Sequence, residues 1–481
     1  MPTDRLVKGI FTTRVFLFSI IISTSIIILP FTEALTSSMT TSSNNDLMSV
    51  LKETFPHLVS YESTKTISQA NAEGQRLVLT LHEEEANAPY DHAVFVKRVV
   101  ASDYIGTKKD WADLRRTLLY MRTEVRFYKE ILPVLQKTLL GANDSPSTST
   151  TTSSIAPKIH LAQHSLEKFI PDDESGLAPA GAPPAIYEEY QRDPTILPAG
   201  SGEIIMDCVS DADYFQASPI SIDQAKQCLT AVAQLHAAAW ENQPLLEQCT
   251  QRLSLASFHL QVRNPKELAG MEASWEHFST QFATALDEAG LSERTKTLGA
   301  RIQQAAKAIS QQLSPQYNEP YATLIHGDYK AMNVFLPKDP STNNNALLVD
   351  FASTGIGLGV SDVAMHIHHA VIPADLANGG EEALVDHYWQ ELDKLLQERG
   401  KNYPRDVAMK QYRLAVIDYG RFVLGRFWKT ATPETFAKRK DSPNTTLINR
   451  NVEAAMAFID RMERYLTEFE QEQATAKKSE L

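Results

Sequence analysis

Cysteine is scarce in this chain. Cys208, Cys228 and Cys249 are the only three among 481 residues, an odd number that excludes a disulfide framework and leaves free thiols. A surplus of basic residues is missing too. Lys and Arg number 46 against 59 Asp and Glu, for a formal charge of −13, which excludes the basic patch a nucleic-acid partner needs and mildly favours a neutral or cationic ligand. The notable apolar run is N-terminal. Val15–Phe31 follows Arg5, Lys8 and Arg14 and is interrupted only by Ser19, Ser23, Thr24, Ser25 and Pro30. At 17 residues it is short of the roughly 20 that span a bilayer, so residues 1–34 read as a cleaved signal peptide ahead of a signal anchor. A membrane is therefore met only through this segment, if it stays uncleaved.

What is present concentrates in Leu324–Ala364. Two apolar β-type runs, Ala322–Ile325 and Ala346–Val349, frame it, with a short strand at Asn333–Leu336 and a polar hairpin loop from Pro337 to Asn345. Asp328, Asn333 and Asp350 thus fall at strand or loop ends, where side chains converge. Moving a γ-phosphoryl group needs a residue that orients the attacking hydroxyl, oxygen ligands for Mg²⁺ and a cation near the phosphates. Asp328 fits the first role, Asn333 and Asp350 the second, and Lys330 adds positive charge. Any one of these residues alone is better explained as a turn cap or strand end. Their order and spacing together, His326-Gly327-Asp328-x-Lys330-x-x-Asn333 and then Asp350-Phe351, make the two-part pattern of kinase-like phosphotransferases.

With His-Gly-Asp at its centre, this pattern resembles the small-molecule branch: aminoglycoside phosphotransferases, choline kinases and, nearest, the ecdysteroid kinase-like (CHK) group. The resemblance implies an α+β, bilobal protein-kinase-like fold with a small antiparallel N-lobe sheet and a mainly helical C-lobe. It also implies ATP and Mg²⁺ in the cleft and a small-molecule alcohol as substrate. A choline or ethanolamine kinase is the nearest enzymatic alternative, and a non-catalytic nucleotide-binding scaffold is the alternative of another class. Residues 47–206 form the expected N-lobe, 207–470 the C-lobe and 471–481 a polar, frayed tail. The Ser- and Thr-rich residues 35–46 are a linker or a second transit element. A two-part leader of that kind resembles plastid targeting in algae with secondary plastids, so the expected destination is the secretory pathway or an organelle.

Along the chain, Leu47–Phe55 reads as an amphipathic helix, and Leu77–Leu81 and Ala93–Val100 as strands. The second strand holds Val94-Phe95-Val96-Lys97, like the kinase strand whose lysine grips the α and β phosphates. Asp110–Leu135 repeats apolar residues at steps of three and four, as a helix does. Glu124 in its middle matches the family pattern and is the expected partner of Lys97, ahead of Glu130 on another face. Gly141–Ser154 is too polar for a core and reads as a surface insertion. Strand Glu203–Val209 ends in the hinge, where the backbone of Asp207, Cys208 and Val209 would meet adenine.

Ser221–Glu241 reads as a capped helix that holds His236 as a core histidine satisfied by backbone, and Leu253–Leu313 as largely helical. Gly355, Gly357 and Gly359 read as a tight turn needing positive φ. Asp362 resembles the family's brace for the catalytic loop. Only 11 residues separate it from Asp350, too few for a long activation loop, which disfavours protein substrates. His366, His368 and His369 lack a completing ligand for zinc. Arg421 and Arg426 fit either a structural ion pair or the substrate side. One departure from kinase pattern is the phosphate-covering loop: Tyr61–Leu77 holds a single glycine, Gly74, leaving Ser and Thr residues and backbone amides to take its part.

Overall fold

The computed structural model describes residues 47–68, 73–83, 88–104, 110–140, 154–176, 181–193, 200–256, 259–263, 265–339 and 345–479. The leader segments 1–34 and 35–46, and residues 141–153 of the expected insertion, lie outside the described residues. The chain divides into two units at Leu58. Of the first, residues 47–54 form helix α1, in agreement with the periodicity of Leu47, Leu51 and Phe55. The second carries the lobes.

Five antiparallel strands make the N-lobe sheet: β1 (Leu58–Ser68), β2 (Glu73–Leu81), β3 (Tyr90–Val100), β4 (Ile159–His164) and β5 (Ser201–Asp207), in the order β1-β2-β3-β5-β4. The alternation that predicts β2 and β3 is visible in burial, with Leu77, Leu79 and Leu81 on one strand and Val94 and Val96 on the next. A period of two allows no other register without exposing that face. Gly74 stands opposite Lys97, and Lys97 opposite Ile204. β1 corrects the expectation of a loop from Tyr61. Its polar residues, with Val59 largely exposed, suit an edge strand whose charges discourage further pairing, and such a strand leaves no apolar alternation to read.

Helix α2 (Trp111–Arg126) begins at Asp110, whose carboxylate accepts the Asp113 amide, an ordinary N-cap. It runs through a π turn at Phe127–Ile131 into α3 (Leu132–Leu140). Pro133 has no N–H to donate, and the wider turn ahead of it absorbs the break. Glu130, on that turn, pairs with Arg252 at 2.8 Å, so it does not compete for Lys97.

Beyond a short helix α4 (Ala185–Arg192), the C-lobe opens with α5 (Ile222–Ala239), started by a capping box between Ser221 and Gln224. Helices Met271–Gln281, Leu298–Leu313, Val360–Ala370, Gly380–Gln397, Arg405–Arg426 and Val452–Ser479 follow. α5 packs on Gly380–Gln397, and Val360–Ala370 and Leu298–Leu313 both pack on Arg405–Arg426. Two small antiparallel sheets carry the loops of interest: β7 (Thr323–Ile325) with β10 (Gly355–Gly357), and β6 (Tyr214–Phe215) with β8 (Val334–Pro337) and β9 (Leu347–Leu348). Among the described residues, no helix is long and apolar enough to cross a membrane.

Two more expectations are corrected. Gly355 and Gly357 sit in a strand, and neither they nor Gly359 has positive φ; they are glycines because of close approach. A Cβ would stand 2.7 Å from the Ala256 nitrogen at Gly355 and 2.7 Å from the Ile325 side chain at Gly357. The tail expected to fray is helical to Ser479, since Gln, Glu, Ala and Lys are strong helix formers even without a buried face.

Candidate active site

The catalytic loop is held by one buried carboxylate. Asp362, in the first turn of Val360–Ala370 and fully buried, accepts the backbone N–H groups of His326 (2.6 Å) and Gly327 (3.0 Å). His236 donates its Nε2–H to the same carboxylate at 3.1 Å and takes a hydrogen bond from the Tyr388 hydroxyl at 2.8 Å. Side chains, not backbone, therefore satisfy this core histidine, and it braces the brace. His326 accepts the Asp328 N–H on Nδ1 (3.3 Å) and donates Nε2–H to the Val349 carbonyl (3.0 Å). The Tyr329 hydroxyl reaches back to the Cys228 carbonyl on α5 at 2.6 Å. Gly327 has φ 77°, and a Cβ there would collide with the Ser353 carbonyl; glycine is required in the middle of this triplet.

Within the loop so fixed, Asp328 is part-exposed. Its Oδ2 takes a bond from Lys330 Nζ at 3.0 Å, and Asn333 Nδ2 donates to the Asp328 carbonyl at 2.8 Å. Asn333 thereby turns its amide nitrogen to Asp328 and keeps its amide oxygen for another role. The Asp328 carboxylate raises the Lys330 pKa, against burial, so Lys330 stays charged.

Across the cleft, β3 delivers Lys97 to Glu124 Oε2 at 2.6 Å and to Asp350 Oδ1 at 2.7 Å. The expected Lys97–Glu124 pair is present, and Asp350 joins it. Burial works against charge on all three groups. For Lys97 the two carboxylates outweigh burial and its pKa rises. Asp350 is held well below the carboxylate range because Lys97 and Lys330 together outweigh its burial. Glu124, buried deepest, is pushed up to about 7 by that burial, with Lys97 opposing and Asp350 adding to the rise. Asp350 adopts φ 66°, ψ 58°, a left-handed conformation that stores strain at a functional position. Phe351 anchors it by stacking on Phe127 at 3.9 Å and meeting the tilted His326 ring at 4.7 Å, which ties the π turn to the His326–Asn333 loop.

The donor set at this point is hard oxygen: the Asp350 carboxylate and the Asn333 amide oxygen. Such an all-oxygen pair suits Mg²⁺ better than it suits softer metals. In the hinge, the Asp207 N–H donates to the Lys158 carbonyl (2.8 Å) and the Cys208 N–H to the Ala93 carbonyl (3.0 Å). The Cys208 amide is thus committed within the sheet.

Elsewhere, Arg421 is a structural partner of Asp418 at 2.7 Å, both buried, whereas Arg426 is part-exposed and 3.7 Å from Glu267. His368 lies 3.5 Å from Glu381 in the core, and His366 faces the Tyr329 carbonyl at 3.3 Å. None of His366, His368 and His369 belongs to a candidate metal-ligating group among the described residues.

An antiparallel sheet whose lysine is clamped between a helix glutamate and the aspartate of a facing loop, over a braced His-Gly-Asp turn, is the arrangement of the kinase-like fold. The chain belongs to the ecdysteroid kinase-like family, whose model matches residues 76–400. No curated protein matches it in sequence. Solved structures that resemble it include an amicoumacin kinase, hAmiN, in complex with AMP-PNP, Ca²⁺ and Ami, at TM-score 0.40 and 12% identity, covering 89% of this chain and 96% of that one. An aminoglycoside-3'-phosphotransferase of type VIII matches at 0.32 and 14%, covering 77% and 97%. A choline kinase from Cryptosporidium parvum Iowa II matches at 0.35 and 10%, covering 91% and 97%.

Proposed function

We propose that this protein is an ATP- and Mg²⁺-dependent kinase that phosphorylates a hydroxyl of a small-molecule alcohol. The observation that carries the proposal is the Lys97–Glu124–Asp350 triad standing over a loop that offers Asp328, Lys330 and Asn333 together. Asp328 orients the acceptor hydroxyl. Its oxygen attacks the γ-phosphorus, the bond from that phosphorus to the β,γ-bridging oxygen breaks, the hydroxyl proton passes to the Asp328 carboxylate, and ADP leaves. Because Lys330 and Asn333 both bond to Asp328, it is a positioner first and a proton acceptor late, which suits a loose phosphoryl transition state. Lys330 meets charge on the transferring group. Lys97, kept charged and aimed by Glu124, holds the α and β phosphates, while the Asp207 carbonyl and Val209 amide take the adenine edge. Asn333 and Asp350 would hold Mg²⁺, which supplies charge neutralisation on the phosphates.

The test is ATP turnover by the full chain, with Mg²⁺ and a pooled set of small alcohols and aminoalcohols, beside Asp328→Ala. Substrate-stimulated turnover that disappears in the variant supports the kinase. Tight ATP binding with no turnover for any acceptor favours a nucleotide-binding scaffold, and stimulation by choline or ethanolamine alone favours that enzymatic alternative. The same proposal extends to location: residues 1–34 act as a leader into the secretory pathway or an organelle, checked by sequencing the N-terminus of the mature protein.

A further inference from the structure

Three side chains on three adjacent strands of the N-lobe sheet converge at the hinge end. His92 comes from β3, Asp207 from the end of β5 and His160 from β4. Strand alternation places them away from the cleft. His92 has the parity of Val94, the register partner of Asp207, whereas Lys97 has the opposite parity. The β4–β5 register slips by one residue between Ile159 and Leu161, and His160 is the extra residue; a bulge of this kind re-aims a side chain. Both imidazoles present Nε2 to the same carboxylate oxygen. His160 Nε2 lies 2.6 Å and His92 Nε2 3.1 Å from Asp207 Oδ1, the rings meet edge-on at 5.4 Å, and the three ligand atoms all lie within 4.8 Å of one another.

From this geometry we infer that His92, His160 and Asp207 form a binding site for a divalent metal ion of the zinc class, built from side chains distinct from the phosphotransfer residues and touching the hinge only through Asp207, by its side chain. Two imidazoles and one carboxylate are the donor set of three-ligand zinc sites, with a fourth position open to water. A tetrahedral ion with ligands at about 2.0–2.2 Å holds them roughly 3.3 Å apart. His92 Nε2 and Asp207 Oδ1 already stand near that spacing, the His160–Asp207 distance would open by about 0.7 Å to match it, and the two imidazole nitrogens lie within 4.8 Å of each other. The side chains are 31%, 13% and 37% exposed for His92, His160 and Asp207, so the cluster lies at the surface of the sheet, with His92 Nε2 itself turned away from solvent. The donor chemistry also separates this site from the oxygen-only pair Asn333 and Asp350. A second cluster, His164, Glu167 and Asp172, is a poorer cation site, because Arg126 and Arg252 already pair with Asp172. Bound there, the ion would cross-link β3, β5 and β4 just behind the hinge backbone.

The experiment is titration of the metal-free full chain with Co²⁺ alone, followed by visible absorption and then by displacement with Zn²⁺. One equivalent should bind with ligand-field bands, survive Asp350→Asn and His164→Ala, and weaken about tenfold or more in both His92→Ala and His160→Ala. Binding unchanged in the two histidine variants, or lost instead in Asp350→Asn or His164→Ala, overturns the site, as does no binding at all. Circular dichroism checks each variant's fold. Zinc-edge X-ray absorption on the wild type needs no variant: two imidazoles in the first shell support the site, and fewer than two contradict it. No step depends on kinase activity, so this test and that of the phosphotransfer reading fail independently.

Discussion

On the C-lobe side of the cleft, Asp362 gathers two backbone amides and one imidazole in a fully buried pocket, and the loop bearing Asp328 takes its shape from those bonds. Across the cleft, Lys97 of the N-lobe is held between two carboxylates, Glu124 of its own lobe and Asp350 of the other. The first side is fixed by directional hydrogen bonds that leave little freedom. The second is fixed by charge, so it responds to anything that adds or removes charge: a phosphate, a metal ion or a proton. A phosphoryl-transfer site needs both properties, a rigid positioner for the acceptor and a clamp whose partners exchange when nucleotide arrives.

The largest effect expected on the rigid side is chemical. Asp328→Asn should lower kcat roughly 10²- to 10⁴-fold, the span for loss of a positioned general base, with little change in ATP affinity. Fluorescent nucleotide titration beside steady-state turnover separates the two quantities. On the charged side, Lys97→Met leaves the buried Glu124 and the part-exposed Asp350 without the ammonium between them. It should lower unfolding free energy by about 3–5 kcal/mol, read from the midpoint of a urea transition.

Asp362→Asn breaks the comparison differently. The His326 and Gly327 amides bond to different oxygens of Asp362, so the amide side chain keeps an acceptor for one of them and turns its NH2 on the other; a loss of about 1.5–3 kcal/mol is expected, together with a fall in kcat that Asp328→Asn does not deepen much. If the two effects on kcat simply multiply, Asp362 acts apart from the loop.

The smallest effect is one of pH. Glu124, raised to about 7 by burial, takes up a proton on folding at pH below that value. Its contribution to stability is therefore full at acid pH and lost as pH rises from its unfolded value through about 7. Its contribution to activity runs the other way, because only the ionised form pairs fully with Lys97. The apparent ATP affinity should weaken as pH falls below about 7, and Glu124→Gln should flatten that limb while weakening affinity at higher pH.

The site was more legible in the sequence than the elements around it, for physical reasons. The loop from His326 to Asn333 is local, so spacing alone brings Asp328, Lys330 and Asn333 together. Periodicity shows the strand and the helix that carry Lys97 and Glu124, and the resemblance to kinase motifs singles out the two residues; Glu130 falls on another helix face, where Arg252 holds it. What was missed depends on distant contacts. The glycines at 355 and 357 are dictated by Ala256 and Ile325, and no local pattern tells close approach from positive φ. β1 is a polar edge strand whose pairing with β2 is all that makes it a strand. The Cys208 amide was a candidate for adenine until Ala93 was seen to occupy it. The cluster of His92, His160 and Asp207 draws on positions more than a hundred residues apart and on a bulge that no spacing rule predicts, so each histidine looked unremarkable alone.

The account's central claim is that these two differently held sides work as one phosphotransfer site. The direct measurement is transfer of label from γ-³²P-ATP to an organic acceptor in the pooled alcohols, for wild type, Lys97→Met and Asp328→Asn. The account predicts a labelled, alkali-stable phosphoester with the wild type, sharply reduced by either substitution. Labelled product that persists at wild-type rate in both variants, or wild-type protein that binds ATP and never labels an acceptor, would contradict it.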